Sequence, residues 1–372
     1  MHTSAQLSTK ESAPRIQQGL LGVLAGETSI SKVDGEQGRL TVRGYSLEHF
    51  APRFSFEEAA SIVLWDRTEE TFESRLRSER ALDSHTVALL QAAVALGSSP
   101  MDALRMGVCS LSTSGDLTKD IFSVIAKTAS ITGTICALSQ GGQVSQAAFA
   151  EPSHAGFLLH LLKGRASSPA AIRALNTYWN TVMDHGFNNS TFTARSVMST
   201  GSDIVSAVTA AVGSLKGPLH GGAPGPALEL IEESKARGNV EEVLREKLDR
   251  GERLMGFGHR QYKVRDPRAE VLQAAVRELA SDDEAREFYS LSEEVERNAV
   301  SLLAEYKPGR KLHANVEFYT SILLKQLGVE PSMFTPLFAC SRVVGWLGHC
   351  LEQIEVGKLI RPDCVYVGRE AS

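Results

Sequence analysis

Strand-like alternation of apolar and polar residues occurs once in this 372-residue chain and then almost disappears. Ser29-Ile-Ser-Lys-Val33 and Arg39-Leu-Thr-Val42 flank Asp34-Gly-Glu-Gln-Gly38, a pattern that predicts a small β-hairpin. After it, apolar residues recur at helical spacing. Ser55-Phe-Glu-Glu58 has the spacing of a capping box ahead of the apolar run Ala59–Trp65. Further helices are predicted near Val87–Leu96, Met101–Leu111, Thr118–Leu138, Ala170–Met183, Ile204–Leu215 and Pro226–Ala236. More follow near Val240–Asp249, Arg268–Leu279, Asp283–Glu305, Val316–Leu327 and Thr335–Ile354. With no βα alternation, a Rossmann-type sheet is excluded and an all-α protein is expected.

The length suggests two lobes. Residues 1–14 read as a loose tail. Charge and amphipathic helices become denser from Pro224 to Leu324. That shift predicts a smaller helical domain over 224–324, inserted between 15–223 and 325–372 of a larger one. Hydrophobic residues make up 42% and charged residues 22%, and the net charge of -5 does not suggest a nucleic-acid surface. The five cysteines are scattered without a C-x-x-C pair, so neither a disulfide framework nor a zinc site is indicated, and a cytoplasmic location is expected. Gly19–Gly26 is too short and too late for a secretory signal, and Ile121–Leu138, which contains Lys127, reads as a buried helix rather than a membrane span.

Four segments carry candidate chemistry. Met255-Gly-Phe-Gly-His-Arg-Gln-Tyr-Lys-Val-Arg-Asp-Pro-Arg268 places His259 behind two glycines and ahead of an Asp-Pro helix start, with Arg268 in the first turn. An acid/base group beside an anion clamp suits a small anionic substrate. The run lacks the G-x-G-x-x-G spacing and a preceding strand, which argues against a dinucleotide site. Lys216-Gly-Pro-Leu-His-Gly-Gly-Ala-Pro-Gly-Pro226 holds His220 among four glycines and three prolines. So many special backbone positions favour a functional loop over a plain turn. In Asp184-His-Gly-Phe-Asn-Asn-Ser-Thr-Phe-Thr-Ala-Arg195, His185 precedes an amide-rich turn that taken alone reads as helix capping. In His313-Ala-Asn-Val-Glu-Phe-Tyr319, Glu317 stands among apolar residues that would raise its proton affinity, although taken alone it reads better as a first-turn Glu serving the helix dipole. Arg342, in the apolar helix Thr335–Ile354, needs an anionic ligand or an internal carboxylate. A metal-hydrolase reading fails because His185, His220 and His259 are not helical neighbours and no H-E-x-x-H occurs.

Together these segments resemble the citrate synthase family, which includes 2-methylcitrate synthases. The resemblance runs from Val33-Asp-Gly-Glu through Tyr45 to Arg361-Pro362 and is most specific in Gly-Pro-Leu-His-Gly-Gly, Met-Gly-Phe-Gly-His-Arg, Asp-Pro-Arg and Ser341-Arg342. It implies an all-α, two-domain fold with only a minor N-terminal hairpin, acting as a homodimer. It further implies condensation of an acyl-CoA with oxaloacetate followed by thioester hydrolysis, with no metal or redox cofactor, nucleic acid or membrane. By the same resemblance His220 would donate to the thioester oxygen, Glu317 would remove the α-proton, and His259 would polarise the ketone. His185, Arg268 and Arg342 would hold oxaloacetate, Arg361 would reach the site from the partner subunit, and Arg253, Leu254, Met255, Gly256 and Phe257 would line the CoA site. Acetyl-CoA is the expected acyl donor; propionyl-CoA and a weakly catalytic acyl-CoA-binding paralogue are the alternatives, since one methylene is worth only ~1–3 kcal/mol of discrimination.

The chain departs from the family pattern in two places. Glu317 replaces the usual Asp, and the added methylene moves the carboxylate by roughly 1.5 Å. Displacement on that scale can cost on the order of 10²-fold in rate. Gly186-Phe-Asn-Asn also follows His185 where many relatives have Glu-Leu-Asn-Ala.

Overall fold

A computed structural model describes residues 16–20, 22–221 and 224–369, so the tail expected over 1–14 lies outside the described residues. The hairpin is present and gains a third strand. Strand β1 (Ser31–Asp34) pairs antiparallel with β2 (Arg39–Val42), and a third short strand, β3 (Tyr45–Ser46), pairs with β2. Among the described residues the other regular elements are helical, apart from an isolated antiparallel bridge between Phe257 and Ala314. The first helices are α1 (Leu47–Arg53), α2 (Phe56–Trp65), α3 (Phe72–Ser78), α4 (Ser84–Ala95), α5 (Pro100–Cys109) and α6 (Leu117–Ser139). They are followed by α7 (His154–Lys163), α8 (Pro169–Val182), α9 (Asn189–Met198) and α10 (Ile204–Leu215). The remainder are α11 (Pro224–Arg237), α12 (Val240–Asp249), α13 (Pro267–Leu279), α14 (Asp283–Tyr306), α15 (Val316–Gln326) and α16 (Phe334–Val356).

Helix starts follow local chemistry. Ser55 and Glu58 form the reciprocal capping box at α2. Asp83, Ser99, Asp116, Ser153, Ser168, Asn188 and Asp203 each accept the amide three residues on, satisfying a donor the helix cannot. Helices α1, α3, α7 and α9 were not predicted. The first two are only seven residues long, and α1 contains Pro52. Helix α7 is buried from His154 to Leu162, so no polar face marks its period. Helix α9 is rich in hydroxyl side chains, which compete for backbone hydrogen bonds and read as loop.

The α6 segment is the one helix among the described residues long and apolar enough to cross a bilayer, and 89% of that window is buried inside the protein, as expected of a core helix. Helix α16 packs against α2, α5, α6, α8, α9 and α10, with its own Trp346 and Trp179 of α8 fully buried. Helices α11 to α15 pack chiefly on one another, while α13 also reaches α8 and α1. The contact of α13 with α8 brings the Arg268 end of the second group towards the His185 end of the first.

Candidate active site

Each candidate histidine lies on a loop held by backbone and buried side chains. His185 follows the end of α8, where Asp184 turns into the core (1% exposed) and accepts from His349 of α16 at 3.1 Å. The next residue, Gly186, has a φ of 58°, a conformation its replacement by a side-chained residue would strain. His220 lies on the loop after α10, anchored by Thr335 Oγ1 donating to the Gly221 carbonyl. Gly222 and Ala223 of that loop lie outside the described residues. His259 follows Gly256 and Gly258, both at positive φ (89° and 81°). The turn they make is stitched to the start of α15. Gly258 N–H donates to the His313 carbonyl, Asn315 N–H donates to the Gly256 carbonyl, and the Asn315 amide group donates to the Gly258 carbonyl. Asn315 Oδ1 in turn caps α15 by accepting the Glu317 amide. The candidate CoA turn, His259 and the candidate base are therefore fixed by one small frame.

The loops converge. The rings of His185 and His259 stand edge to face at 5.7 Å, and His185 Nε2 is 3.1 Å from the Tyr262 hydroxyl. His259 Nδ1 accepts the amides of Gln261 and Tyr262, so the ring proton belongs on Nε2. That N–H faces Arg268 Nη2 at 3.0 Å, two donors with no acceptor between them. A ligand oxygen would resolve that arrangement. Arg268 is buried and paired along one edge with Asp266, through Nε at 3.0 Å and Nη2 at 2.8 Å. Asp266 also accepts the Arg268 and Val316 amides, which ties the starts of α13 and α15 together. Among the described residues Arg268 Nη1 has no hydrogen-bond partner, so one edge of the guanidinium is left for an anion.

Arg342 is 2% exposed, its Nε donates to the Val182 carbonyl at 2.6 Å and its guanidinium lies over Phe338. Among the described residues no carboxylate lies within ion-pair distance of it. Burial pulls it down to about 10, against the opposing charge of Asp184. The requirement for an anionic partner, inferred from sequence, is thus left open among the described residues.

Electrostatics divides the acid/base groups. Burial, reinforced by Arg342, lowers His220 to about 4, and burial with Arg268 lowers His259 to about 4. His185 is pushed well below its usual range by burial and by Arg268, His259 and Arg342. All three rings are therefore neutral hydrogen-bonding groups near pH 7. Glu317 moves the other way: burial raises it to about 7, against the pull of Arg268 and Arg342. His220 Nε2 lies 2.8 Å from Ser190 Oγ, which also receives the Trp346 indole N–H at 3.0 Å and stands 2.9 Å from Asn188 Oδ1. The Ser190 amide donates to the same His220 Nε2 at 3.4 Å, which makes Nε2 an acceptor and leaves the His220 proton on Nδ1.

The structure thus places His185, His259, Glu317 and Arg342 in the field of Arg268, and His185, His220 and Glu317 in the field of Arg342. Other candidates fall elsewhere. Arg361 lies in the extended C-terminal arm, its side chain 76% exposed, with Asp363 as its nearest described counter-ion at 3.9 Å. Arg253 is exposed, Met255 and Phe257 are partly buried, and Gly256 is buried. Leu254 is turned into the core, so it can line a ligand only with its backbone. Sequence reasoning missed Asp184, Ser190, Tyr262, Asp266, Asn315, Trp346 and His349, which hold the site rather than point into it. Only Asp266 and Asn315 had a visible signal, as helix caps. Among the described residues no cluster of three or more His, Cys, Asp or Glu could hold a metal.

The chain resembles proteins of known fold and family along nearly its whole length. The family model for the citrate synthase C-terminal domain matches residues 19–363. The citrate synthase of Synechocystis sp. is 32% identical over 95% of this chain and 91% of its own. The 2-methylcitrate synthase of Shewanella oneidensis is 35% identical over 94% of each. Citrate synthase from the thermophilic archaeon Thermoplasma acidophilum, solved as a ternary complex with carboxymethyl coenzyme A and oxaloacetate, superposes with a TM-score of 0.85 at 27% identity, covering 96% of this chain and 97% of its own. The all-α fold and the sequence agree, and the chain belongs to the citrate synthase family, enzymes that transfer an acyl group.

Proposed function

We propose that the protein condenses acetyl-CoA with oxaloacetate and hydrolyses the citryl-CoA thioester, releasing citrate and CoA. One observation carries this reading: a carboxyl near pKa 7 stands in the field of two buried arginines, one of them without a carboxylate partner among the described residues. A dicarboxylate supplies the missing negative charge, and Glu317 is then poised to take a proton at neutral pH. Glu317 removes the proton α to the thioester carbonyl. His220 stabilises the enolate oxygen as a neutral donor from Nδ1, with Nε2 accepting from Ser190. The carbon nucleophile attacks the ketone of oxaloacetate, whose oxygen takes the His259 Nε2–H in place of the donor–donor contact with Arg268. The free edge of Arg268, the Arg342 guanidinium and His185 hold the carboxylates. Water then cleaves the thioester. The turn Arg253–Phe257 lines the CoA site, and no metal or redox cofactor enters the chemistry.

We assign residues 224–324 to a smaller domain that closes on the larger one, and the active unit to a cytoplasmic homodimer with Arg361 donated across the interface. The exposed arm beyond α16 supports the dimer: Leu359, Val365, Tyr366 and Val367 leave apolar surface for a second copy to cover. Likeness to a 2-methylcitrate synthase keeps propionyl-CoA as the competing donor. Free CoA release, measured with oxaloacetate and either acetyl- or propionyl-CoA, separates the readings. Faster turnover of acetyl-CoA is expected. Faster turnover of propionyl-CoA would overturn the choice of donor, and binding of acyl-CoA by folded protein without turnover would overturn catalysis itself.

A further inference from the structure

The N-terminal hairpin touches both oxaloacetate-side histidine loops. At one end of β1, Ser31 Oγ donates to Asp184 Oδ2 and accepts the Gly186 amide at 2.9 Å, bracketing His185. At the other end, the Gly35 carbonyl accepts the Lys263 amide at 2.9 Å. The contact at Gly35 is close: a Cβ there would lie 2.1 Å from the Gln261 carbonyl oxygen. The Gln261–Tyr262 peptide pressed on Gly35 is also the one whose amide holds His259 Nδ1, and the Tyr262 hydroxyl closes the circuit to His185. The turn is kept in shape by Asp34 Oδ1 accepting the Gln37 amide, and the strand is anchored by Thr28 and Ser29 on Glu352 of α16.

We propose that the β1–β2 hairpin is a strap that registers the His259 loop against the His185 loop, with Ser31 and Gly35 as positioning residues for oxaloacetate. The physical ground is rigidity: a paired strand of four residues transmits displacement between its ends, whereas the two loops are separated by more than seventy residues of chain. Ser31 removes slack at the His185 end, and only glycine allows the Gln261 peptide to seat at the other. The proposal rests on the substrate assignment above, so the test has one arm that does not depend on activity.

Hydrogen exchange of the full-length protein, compared with Ser31→Ala and Gly35→Ala, reads the two loops separately, with the buried helix α6 as the control for global loosening. Each variant is expected to raise exchange in both 184–190 and 259–265 while α6 keeps its protection. In CoA-release assays each should raise KM for oxaloacetate about tenfold, as misplacement of binding groups does, and leave KM for the acyl-CoA within about twofold. The double variant should cost less than the sum of the two, because both break one connection. Loosening confined to the loop each residue touches, or equal increases in both KM values, would overturn the strap. Absence of CoA release by the unmodified protein would sink the substrate assignment alone, and the exchange arm would still decide the strap.

Discussion

Glu317 is the residue at which position and proton affinity meet. Burial raises it to about 7, so the reactive carboxylate is the minority form below that pH. The turnover rate should fall about tenfold per pH unit below 7 and level off above it, since the base must be unprotonated to accept the α-proton. A pH–rate profile flat from about 5.5 to 8 would remove Glu317 from that role. The same shift has a cost in stability. A carboxyl whose folded pKa lies above its unfolded value stabilises the protein below pH 4.5, and that contribution is lost as the pH rises through 7. The 2.5-unit difference corresponds to roughly 3 kcal/mol lost by pH 8. Glu317→Gln is therefore expected to abolish condensation, keep oxaloacetate binding and melt at a higher temperature at pH 8, with the gain shrinking as the pH falls towards 4.5. A variant less stable than the parent at pH 8 contradicts this account. The direction of the shift was legible in the apolar neighbours Val316, Phe318 and Ile322. The arginines that oppose it were not, because Arg268 and Arg342 come from helices far away in sequence.

Among the elements, α16 organises the site. Arg342, Trp346, His349 and Glu352 recur along one face of it at helical spacing. They reach in turn the end of α8, Ser190 beneath His220, Asp184 beneath His185, and Arg195 with Ser29. His349 is fully buried between Asp184 and Glu352, and those two carboxylates raise it above its usual range in spite of burial. An imidazolium held in this way contributes stability that is complete below pH 6.5 and lost as the pH rises through the elevated folded value. His349→Gln should thus destabilise the protein by about 3 kcal/mol at pH 6, where it leaves the buried Asp184 carboxylate short of a counter-charge while Glu352 keeps Arg195, and by less at pH 9. Denaturant titrations at the two pH values check the sign; an equal loss at both means the histidine is not charged in the folded state. The sequence displayed α16 as an apolar helix with one unexplained arginine. His349 and Trp346 could not be singled out there, because what distinguishes them is the partner each meets on another loop. The capped helices that start in the site were visible for the opposite reason. Asp266 and Asn315 act on amides only two residues away, so the sequence contains both partners.

At the scale of the whole molecule the proposed role of Arg361 depends on a second copy of the chain. Arg361 is exposed on the arm beyond α16, and apolar side chains on the same arm are bare. If a second copy covers the arm and receives the arginine, each active site draws residues from two chains, and defects in different chains can complement. Arg361→Ala and Glu317→Gln homodimers should each be inactive. When the two are unfolded together and refolded at equal concentrations, half the dimers combine one chain of each kind. In those dimers the Arg361→Ala chain keeps its own Glu317 and receives Arg361 from the other chain, so one of the two sites is intact. CoA release should return to about a quarter of the unmodified specific activity, the share that random pairing of two defective chains allows. If Arg361 instead served the site of its own chain, every site in the mixture would lack one of the two groups. The mixture would then stay as inactive as its components, and the site would have to be completed by a residue of the same chain.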